Sequence, residues 1–235
     1  MTISEVAFRS NPFSACKWQA GAIEYIFDSG VDIRGILERL TVAGGVGQIV
    51  GEHGSGKSTL LESLEKYLTK NGLFVQKIQL NSTKKNLPED FLLSLCSSRF
   101  KIHKAEHGSV TTWSGCSRAK PTAHTGSGIR KKDTNTIYIL DGYEQLSLLA
   151  RIRLRLNNLR NTGGFIFTTH KPAIFVPIIY KTIARAEIFQ NLVRNLIKNN
   201  NFKIDNKQIE KIFKESKGNF RDGFFKLYDL FEESR

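Results

Sequence analysis

The sequence is poor in cysteine and has no long apolar run. Its three cysteines lie far apart, are odd in number and include no C-x-x-C pair; they are Cys16, Cys96 and Cys116. That pattern argues against a disulfide scaffold and favours free thiols in a reducing compartment. No apolar run approaches membrane-spanning length, and the N-terminus MTISEVAFRSNPF lacks the basic segment and long apolar core of a secretory signal. We therefore expect a soluble, cytoplasmic protein.

The composition is that of a folded, strongly basic chain. With 235 residues, 40% of them apolar and 10% aromatic, it is long enough for one α/β domain with an appendage and a sizeable core. The formal net charge of +13 suggests an anionic partner. Nucleic acid, an acidic protein and an anionic membrane surface all stay open, as does a lysine-rich surface without a specific partner.

The most informative stretch is GQIVGEHGSGKSTLL, residues 47–61. Its centre, residues 51–58, fits the pattern G-x-x-x-x-G-K-[ST] of a phosphate-binding loop. The pattern follows a short apolar run and opens an amphipathic helix over residues 58–70, which is the strand–loop–helix setting that phosphate binding requires. The glycines let successive backbone N–H groups converge on one anion. We therefore predict a nucleotide-binding loop.

The residues of this loop have predicted roles in holding a nucleotide. Lys57 reaches the β- and γ-phosphates, and Ser58 places its hydroxyl on Mg²⁺. The helix that begins here directs the positive end of its dipole at the phosphates. The predicted nucleotide-binding residues are Gly51, Glu52, His53, Gly54, Ser55, Gly56, Lys57, Ser58 and Thr59.

A second predicted site lies in TIYILDGYEQL, residues 136–146. An apolar strand that ends at Asp141 has the form of a Walker B strand, which delivers a carboxylate to the Mg²⁺ shell at the carboxyl edge of a sheet. Many hydrolysing P-loop ATPases place a glutamate immediately after this carboxylate, but this chain has Gly142 there. Glu144 is the nearest carboxylate able to act as the base that activates water. It is equally able to cap the following helix or to stay solvated.

Polar residues also end the apolar stretch GGFIFTTH, residues 163–170. This stretch predicts another buried strand, and its last residues, including Thr168, are expected beside the Walker B carboxylate. P-loop ATPases keep a polar group there that senses the γ-phosphate. Thr169 and His170 are the candidates for this role.

Three further groups of residues have weaker functional interpretations. Pro12, Phe13 and Tyr25 are candidates to contact an adenine base, with core packing as the preferred alternative. The arginines of a helix predicted over residues 145–161 fit an arginine finger, a strip for nucleic acid or, preferably, a solvated face. They are Arg151, Arg153, Arg155 and Arg160. A last group is a candidate metal site whose spacings fit no recognised ligand pattern, with a solvated basic loop as the preferred alternative: His103, His107, Cys116 and His124.

The chain divides into three predicted segments. Residues 1–30 are an N-terminal extension, residues 31–186 the nucleotide-binding domain and residues 187–235 a small helical C-terminal lid. Within the domain, residues 97–136 are rich in Gly, Ser, Thr, Lys and His and show no period, which predicts a mobile basic insertion. Periodicity predicts further helices at 31–43 and 87–100 and further strands at 73–80 and 177–186.

Together these motifs resemble the ATPases in which an additional strand lies between the phosphate-loop strand and the Walker B strand, and more narrowly the AAA+ group. The resemblance rests on GEHGSGKST, YILDGYEQL, FIFTTH and the C-terminal KGNFRDGFF. It implies a three-layer α/β P-loop NTPase with a mostly parallel sheet flanked by helices, a helical lid, ATP and Mg²⁺ as cofactors, and room for a homo-oligomer. KGNFRDGFF looks like the sensor-2 motif, which makes Arg221 the counterpart of the arginine that reaches the γ-phosphate from the lid. The chain also resembles short uncharacterised bacterial P-loop proteins that open with NPF and a GAI segment.

Three functions are compatible with these residues. The leading one is a Mg-ATP-binding ATPase whose lid and basic surface couple the nucleotide state to an anionic macromolecular partner. A small-molecule or nucleoside kinase shares the phosphate loop, although GNFRD and the polar end of FIFTTH argue against it. A nucleotide-dependent switch with little hydrolysis is favoured by Gly142. The AAA+ resemblance and the lack of an N-K-x-D motif point to ATP rather than GTP.

Overall fold

The computed structural model describes residues 11–27, 30–81, 136–152, 154, 164–200 and 202–235. The chain forms two compact units. The loop unit comprises Met1–Ile26, Gly51–Ser63 and Thr182–Arg235, and the sheet unit comprises Phe27–Val50 and Leu64–Lys181. The segment boundaries predicted at residues 30 and 186 stay a prediction. The predicted helix at 87–100 and the insertion at 97–136 lie outside the described residues, apart from Thr136.

The sheet unit is built on five parallel strands. They are β1 (Val46–Val50), β2 (Phe74–Gln79), β3 (Thr136–Asp141), β4 (Gly164–Thr169) and β5 (Ile178–Lys181), in the spatial order β2-β3-β4-β1-β5. Every pair of neighbours is parallel, so the fold class is α/β as predicted. β4 lies between β1 and β3. The carboxyl ends of these three strands therefore meet at one edge, which is where ligands bind in open parallel sheets.

Strands β3 and β4 are apolar on both faces, as parallel strands covered on both sides require. Every residue of β4 is buried, and only Thr136 of β3 is partly exposed. On one side, an apolar cluster holds the sheet against the segment that follows β3. It contains Ile78, Leu80, Tyr138, Leu140, Tyr143, Leu146, Leu154, Phe165 and Phe167. The continuous apolar pattern is what made both strands predictable.

The named helices are α1 (Ala15–Trp18), α2 (Ile33–Val42), α3 (Lys57–Lys70), α4 (Ala186–Ile197), α5 (Asn206–Glu215) and α6 (Phe220–Glu233). α2 begins after Asp32, whose side chain accepts a hydrogen bond from the N–H of Gly35 at 2.8 Å. α3 follows the glycine-rich loop. Its predicted buried face is confirmed, since Leu60, Leu61, Leu64 and Leu68 are fully buried.

Two predicted elements are wrong in their extent. The helix predicted to start at residue 145 is preceded by a 3₁₀ turn, Tyr143–Gln145, and by an extended Leu146. Helical backbone starts only at Leu148, where the side chain of Ser147 accepts the N–H of Ala150 at 3.3 Å. The strand predicted over 177–186 ends at Lys181, because Lys181 pairs with Val50, the last residue of the neighbouring strand β1.

The loop unit contains the N-terminal segment and the C-terminal helices α4, α5 and α6. α5 begins with a capping box, in which Asp205 and Gln208 each bond the other's backbone N–H. The shared core includes the fully buried Phe189, and Phe13 is buried in the same cluster. The core-packing role predicted for Phe13 is therefore confirmed. Across the described residues, no helix has both the length and the apolarity needed to cross a membrane.

Candidate functional site

The segment GEHGSGKS follows β1 in the chain and forms the tight turn that its glycines predict. Gly54 and Gly56 have φ values of +70° and +89°, a region that favours glycine over residues with a side chain. α3 begins directly after this turn, at Lys57. The Lys57 side chain is only 8% exposed, and its Nζ donates hydrogen bonds to the carbonyls of Gly51 and Glu52, both at 2.7 Å. The lysine that would bind phosphate is thus folded over its own loop.

A pair of hydroxyls holds the loop on one side. Ser55 donates its hydroxyl proton to the carbonyl of Glu52 at 2.8 Å, and its Oγ lies 2.6 Å from Oγ1 of Thr182. Because the Ser55 proton is already used, Thr182 acts as the donor in this pair. A Cβ added to Gly51 would lie 1.9 Å from Oγ1 of Thr182, so a side chain has no room there. Thr182 therefore helps to set the shape of the loop, although no motif in the sequence singled it out.

The start of α6 holds the loop at a second point. The N–H of Phe220 donates to the carbonyl of Gly54 at 3.2 Å. A Cβ on Gly54 would lie 1.7 Å from Oδ1 of Asn219. Asn219 caps α6 by accepting from the N–H groups of Arg221 and Asp222. Arg221, the predicted sensor-2 residue, is exposed on the first turn of the helix that touches the loop.

Among the three adenine candidates, Tyr25 is the residue found beside the loop. A Cβ on Gly56 would lie 3.2 Å from the Tyr25 ring. The backbone N–H of Tyr25 also donates to Oγ of Ser63 at 3.3 Å. Pro12, by contrast, is buried, and Phe13 belongs to the core of the C-terminal helices.

In the sheet unit, the end of β3 carries a buried carboxylate bonded to β4. The hydroxyl of Thr168 donates to Oδ1 of Asp141 at 2.6 Å and accepts from the N–H of Gly142 at 2.9 Å. Both side chains are buried. The hydroxyl of Thr169 instead donates to the carbonyl of Lys171 at 2.8 Å. Thr168, which sequence reasoning did not select as a site residue, is therefore the threonine that contacts the carboxylate.

The turn after β3 brings Glu144 and His170 together. His170 Nε2 lies 2.9 Å from Oε1 of Glu144. The second oxygen, Oε2, is buried and has no hydrogen-bond partner among the described residues. A buried carboxylate oxygen without a partner is costly unless a water or ligand pairs with it. Glu144 therefore has hydrogen-bonding capacity at Oε2 that no described residue uses.

Arg151 fixes the backbone of the same turn. Its guanidinium donates to the carbonyls of Glu144 at 2.6 Å and Leu146 at 3.0 Å, and it lies 5.5 Å above the ring of Tyr143. The preferred prediction of a solvated face is wrong for Arg151, because the extended Leu146 exposes carbonyls that the arginine satisfies. The other three arginines of that helix, Arg153, Arg155 and Arg160, lie outside the described residues.

The backbone explains why glycine follows the carboxylate. Gly142 has φ +88°, and a Cβ there would lie 3.1 Å from the carbonyl oxygen of Leu80. A glutamate at this position would be both strained and crowded. The nearest carboxylate downstream is Glu144, in the middle of the 3₁₀ turn.

No cluster of ligands in the described part of the chain supports either predicted metal site, the Mg²⁺ site or the group of three histidines and one cysteine. Among the described residues, no group of three or more His, Cys, Asp and Glu side chains is close enough to hold a metal ion. His103, His107, Cys116 and His124 lie outside those residues. The role of Ser58 and Asp141 as Mg²⁺ ligands stays a prediction.

The comparison with known proteins gives no family for the chain. No protein-family model matches the sequence, and no curated protein sequence matches it significantly. The functional conclusion therefore depends on the contacts described above.

Proposed function

We propose that the protein is a Mg-ATP-binding P-loop ATPase, similar to the AAA+ group, that couples its nucleotide state to an anionic macromolecular partner. The observation that carries the proposal is the loop from Gly51 to Ser58. It combines glycines at positive φ, a buried lysine at the start of α3 and a helix N-terminus directed into the turn. Backbone N–H groups and a helix dipole that converge in this way suit a phosphate group.

The sheet topology supports an ATPase of the type with an inserted strand. β1 runs directly into the loop, and β4 separates β1 from β3. Because all three strands are parallel, Asp141 stands at the same edge of the sheet as the end of β1. This is the arrangement that the sequence resemblance implies.

The proposed roles follow from the chemistry of each group. The loop amides and Lys57 bind the phosphates, and Arg221 reaches the γ-phosphate from α6. Ser58 and Asp141 offer a hydroxyl and a carboxylate, the hard oxygen donors that Mg²⁺ prefers. Bound there, the ion would neutralise negative charge on the phosphate oxygens. Thr168 positions Asp141 through its 2.6 Å hydrogen bond.

Glu144 is the proposed general base. Its Oε2 has no partner among the described residues and is able to take a proton from water, while His170 holds Oε1. The two bonds from Arg151 keep the turn in place. Thr169 is a less direct candidate for sensing the γ-phosphate, since its hydroxyl is engaged by Lys171.

Measurement of ATP binding and turnover tests the proposal. Lys57→Ala should weaken ATP binding about 100-fold, because it removes the charged donor to the phosphates. The matched control is Lys70→Ala at the exposed end of α3, which should bind as the wild type does. Equal ATP affinity in the wild type and Lys57→Ala would contradict the proposal. Turnover with single-stranded DNA, duplex DNA, RNA and anionic vesicles at two salt concentrations would show which polyanion stimulates it.

A second function, an ATP-dependent switch with little hydrolysis, is favoured by Gly142. Its backbone excludes the glutamate that brisk hydrolysis commonly uses, and the displaced Glu144 is held by His170. Tight ATP binding with negligible turnover under every condition would select the switch. No contact of the described residues favours a kinase, and transfer of phosphate to a nucleoside panel would be the result that selects it.

A further inference from the structure

Strand β1 carries one polar side chain inside the sheet. Gln48 stands among apolar residues and glycine in VGQIV, and it is 1% exposed. Strands in the middle of a parallel sheet are covered on both faces and are ordinarily apolar. A buried amide also lowers stability unless its donors and its acceptor are paired. A glutamine at this position therefore requires partners inside the protein.

The Gln48 side chain finds these partners in the connection between β4 and β5. Its amide N–H groups donate to the carbonyls of Ala173 at 2.9 Å and Val176 at 2.7 Å. Its side-chain oxygen accepts the N–H of Ala173 at 2.8 Å. The backbone N–H of Gln48 also donates to the carbonyl of Pro177 at 2.9 Å. One residue of β1 thus fixes both ends of the stretch 173–177.

The turn that these bonds hold contains a residue in an unfavourable conformation. Phe175 lies between the two bonded residues and has φ +63°, a region that is costly for a bulky side chain. Its side chain is 96% exposed, so packing of the ring does not hold it there. Backbone strain of this kind persists where surrounding contacts impose it. The three side-chain bonds from Gln48 are contacts that impose this turn.

His170 lies at the start of the same connection. On its N-terminal side, Thr169 ends β4, and its hydroxyl donates to the carbonyl of Lys171 at 2.8 Å. On its C-terminal side, only two residues separate His170 from Ala173, which Gln48 bonds through both its N–H and its carbonyl. The backbone of His170 is therefore held from both sides.

We propose that Gln48 is a positioning residue for the pair formed by His170 and Glu144. By fixing Ala173, it holds the imidazole where Nε2 lies 2.9 Å from Oε1 of Glu144. Side chains of a functional site keep such geometry only when residues behind them lock their backbone in place. The consequence for turnover rests on the proposed ATPase function, whereas the position of the imidazole is measurable without nucleotide.

The test compares the imidazole signals of His170 in ¹H–¹⁵N NMR spectra of the full chain, at one pH and without nucleotide. Loss of a signal in His170→Asn identifies it. Gln48→Met keeps the approximate shape of the side chain but removes its three hydrogen bonds. The His170 signal should then move toward its position in Glu144→Ala, where the contact with Glu144 is absent. An unchanged signal in folded Gln48→Met would overturn the proposal, since Gln48 would then stabilise the fold without setting the imidazole.

Asn11 offers a matched control in the loop unit, because its amide is 6% exposed and also donates two hydrogen bonds and accepts one. The partners of this amide are Tyr228 at 3.1 Å, Glu232 at 2.7 Å and Phe13 at 2.9 Å. Asn11→Leu should lower the unfolding temperature as Gln48→Met does, yet keep the wild-type His170 signal. An equal displacement of that signal in both variants would also overturn the proposal.

A second variant keeps the experiment decisive if Gln48→Met does not fold. Gln48→Glu retains an acceptor for the N–H of Ala173 but lacks at least one of the two donors. The His170 signal should therefore move in the same direction by a smaller amount. An unmoved signal in this variant would count against the proposal in the same way.

Turnover supplies the measurement that is specific to the proposed ATPase. Gln48→Met should lower kcat about tenfold and leave KM for ATP nearly unchanged, because a displaced His170 disturbs Glu144 in the chemical step and not the binding of phosphate. An unchanged kcat together with a displaced His170 signal would refute the role of this pair in turnover. If the wild type does not turn over ATP, the proposed enzyme activity fails alone, and the NMR comparison still decides whether Gln48 positions His170.

Discussion

The loop after β1 and the carboxyl end of β3 hold their functional groups by different means. In the loop, the side chains of Lys57 and Ser55 bond carbonyls of the loop itself. At the end of β3, the bonds join side chains from different strands and turns: Asp141 to Thr168, and Glu144 to His170. The loop depends on backbone shape, whereas the strand end depends on the register of the sheet.

This difference indicates how each region should respond to substitution. A side chain added in the loop alters the backbone that would bind phosphate, so stability and binding should change together. A side chain replaced at the strand end leaves the backbone in place, so its effect should follow the hydrogen bonds that the replacement removes. The following substitutions test this distinction.

The largest effect is expected for Glu144→Gln. If Glu144 is the base, the variant should retain ATP binding and lose about 1000-fold in turnover, since an amide cannot accept the proton. Single-turnover hydrolysis with saturating ATP measures the loss, and the exposed Glu38→Gln on α2 is the control. Unchanged turnover would remove Glu144 from the mechanism and favour the switch.

Gly54→Ala should give the next largest effect, now on stability. Its Cβ would collide with Asn219 and force a positive φ on alanine, so we expect a loss of about 3 kcal/mol. Gly72 has a similar φ, but a Cβ added there would have no neighbour within 4 Å. Gly72→Ala should therefore lower the unfolding free energy by only about 1 kcal/mol. Denaturant unfolding measures both values.

A second substitution tests the contact between Gly54 and Asn219 directly. Asn219→Gly keeps a helix cap that is nearly as good while removing the colliding side chain. In the double variant Gly54→Ala, Asn219→Gly, this substitution should recover most of the difference in unfolding free energy between Gly54→Ala and Gly72→Ala. If the effects of Gly54→Ala and Asn219→Gly on the unfolding free energy simply add, the loop and the start of α6 are not in steric contact in solution.

Thr168→Val should have a moderate effect at the strand end. It removes the donor to Asp141 and the acceptor for Gly142, so we expect a loss of about 2 kcal/mol in stability and weaker Mg-ATP binding. Thr169→Val removes a single bond to a carbonyl and should cost about 1 kcal/mol. A larger effect on nucleotide binding from Thr169→Val would reverse our assignment of the two threonines.

The smallest effect is expected for Thr182→Val, which keeps the shape of the side chain but removes its hydroxyl. Ser55 loses a donor, and the unfolding free energy should fall by about 1 kcal/mol, with a few-fold loss of ATP affinity. Thr41→Val is the control, because the Thr41 hydroxyl bonds the Leu37 carbonyl within its own helix α2. Equal ATP affinity in wild type and Thr182→Val would show that the loop keeps its shape without this bond.

The parts of the molecule that depend on local sequence were predictable, and those that depend on register were not. The strands followed from apolar runs, and the loop followed from the spacing of its glycines and Lys57. The choice of Thr168 over Thr169 requires the pairing of Leu140 with Phe167, which puts Asp141 and Thr168 on adjacent positions of neighbouring strands. No single strand contains that information.

Contacts between distant parts of the chain were equally beyond prediction. Nothing in the sequence around Gln48 indicates that its amide holds a connection 125 residues later. Asn219 lies in the GNFRD motif, but that motif predicts a role for Arg221 and none for Asn219. The end of β5 at Lys181 likewise coincides with the end of its distant partner strand β1 at Val50.

The hydroxyl pair of Ser55 and Thr182 has a consequence for synthesis of the protein. The two residues are 127 positions apart, and the start of α6 comes later still. On the ribosome, the entire phosphate-loop motif emerges well before the residues that complete its shape. A nascent chain that ends before Thr182 therefore carries the motif without these supporting contacts, and the loop can take its final shape only in the last stage of folding.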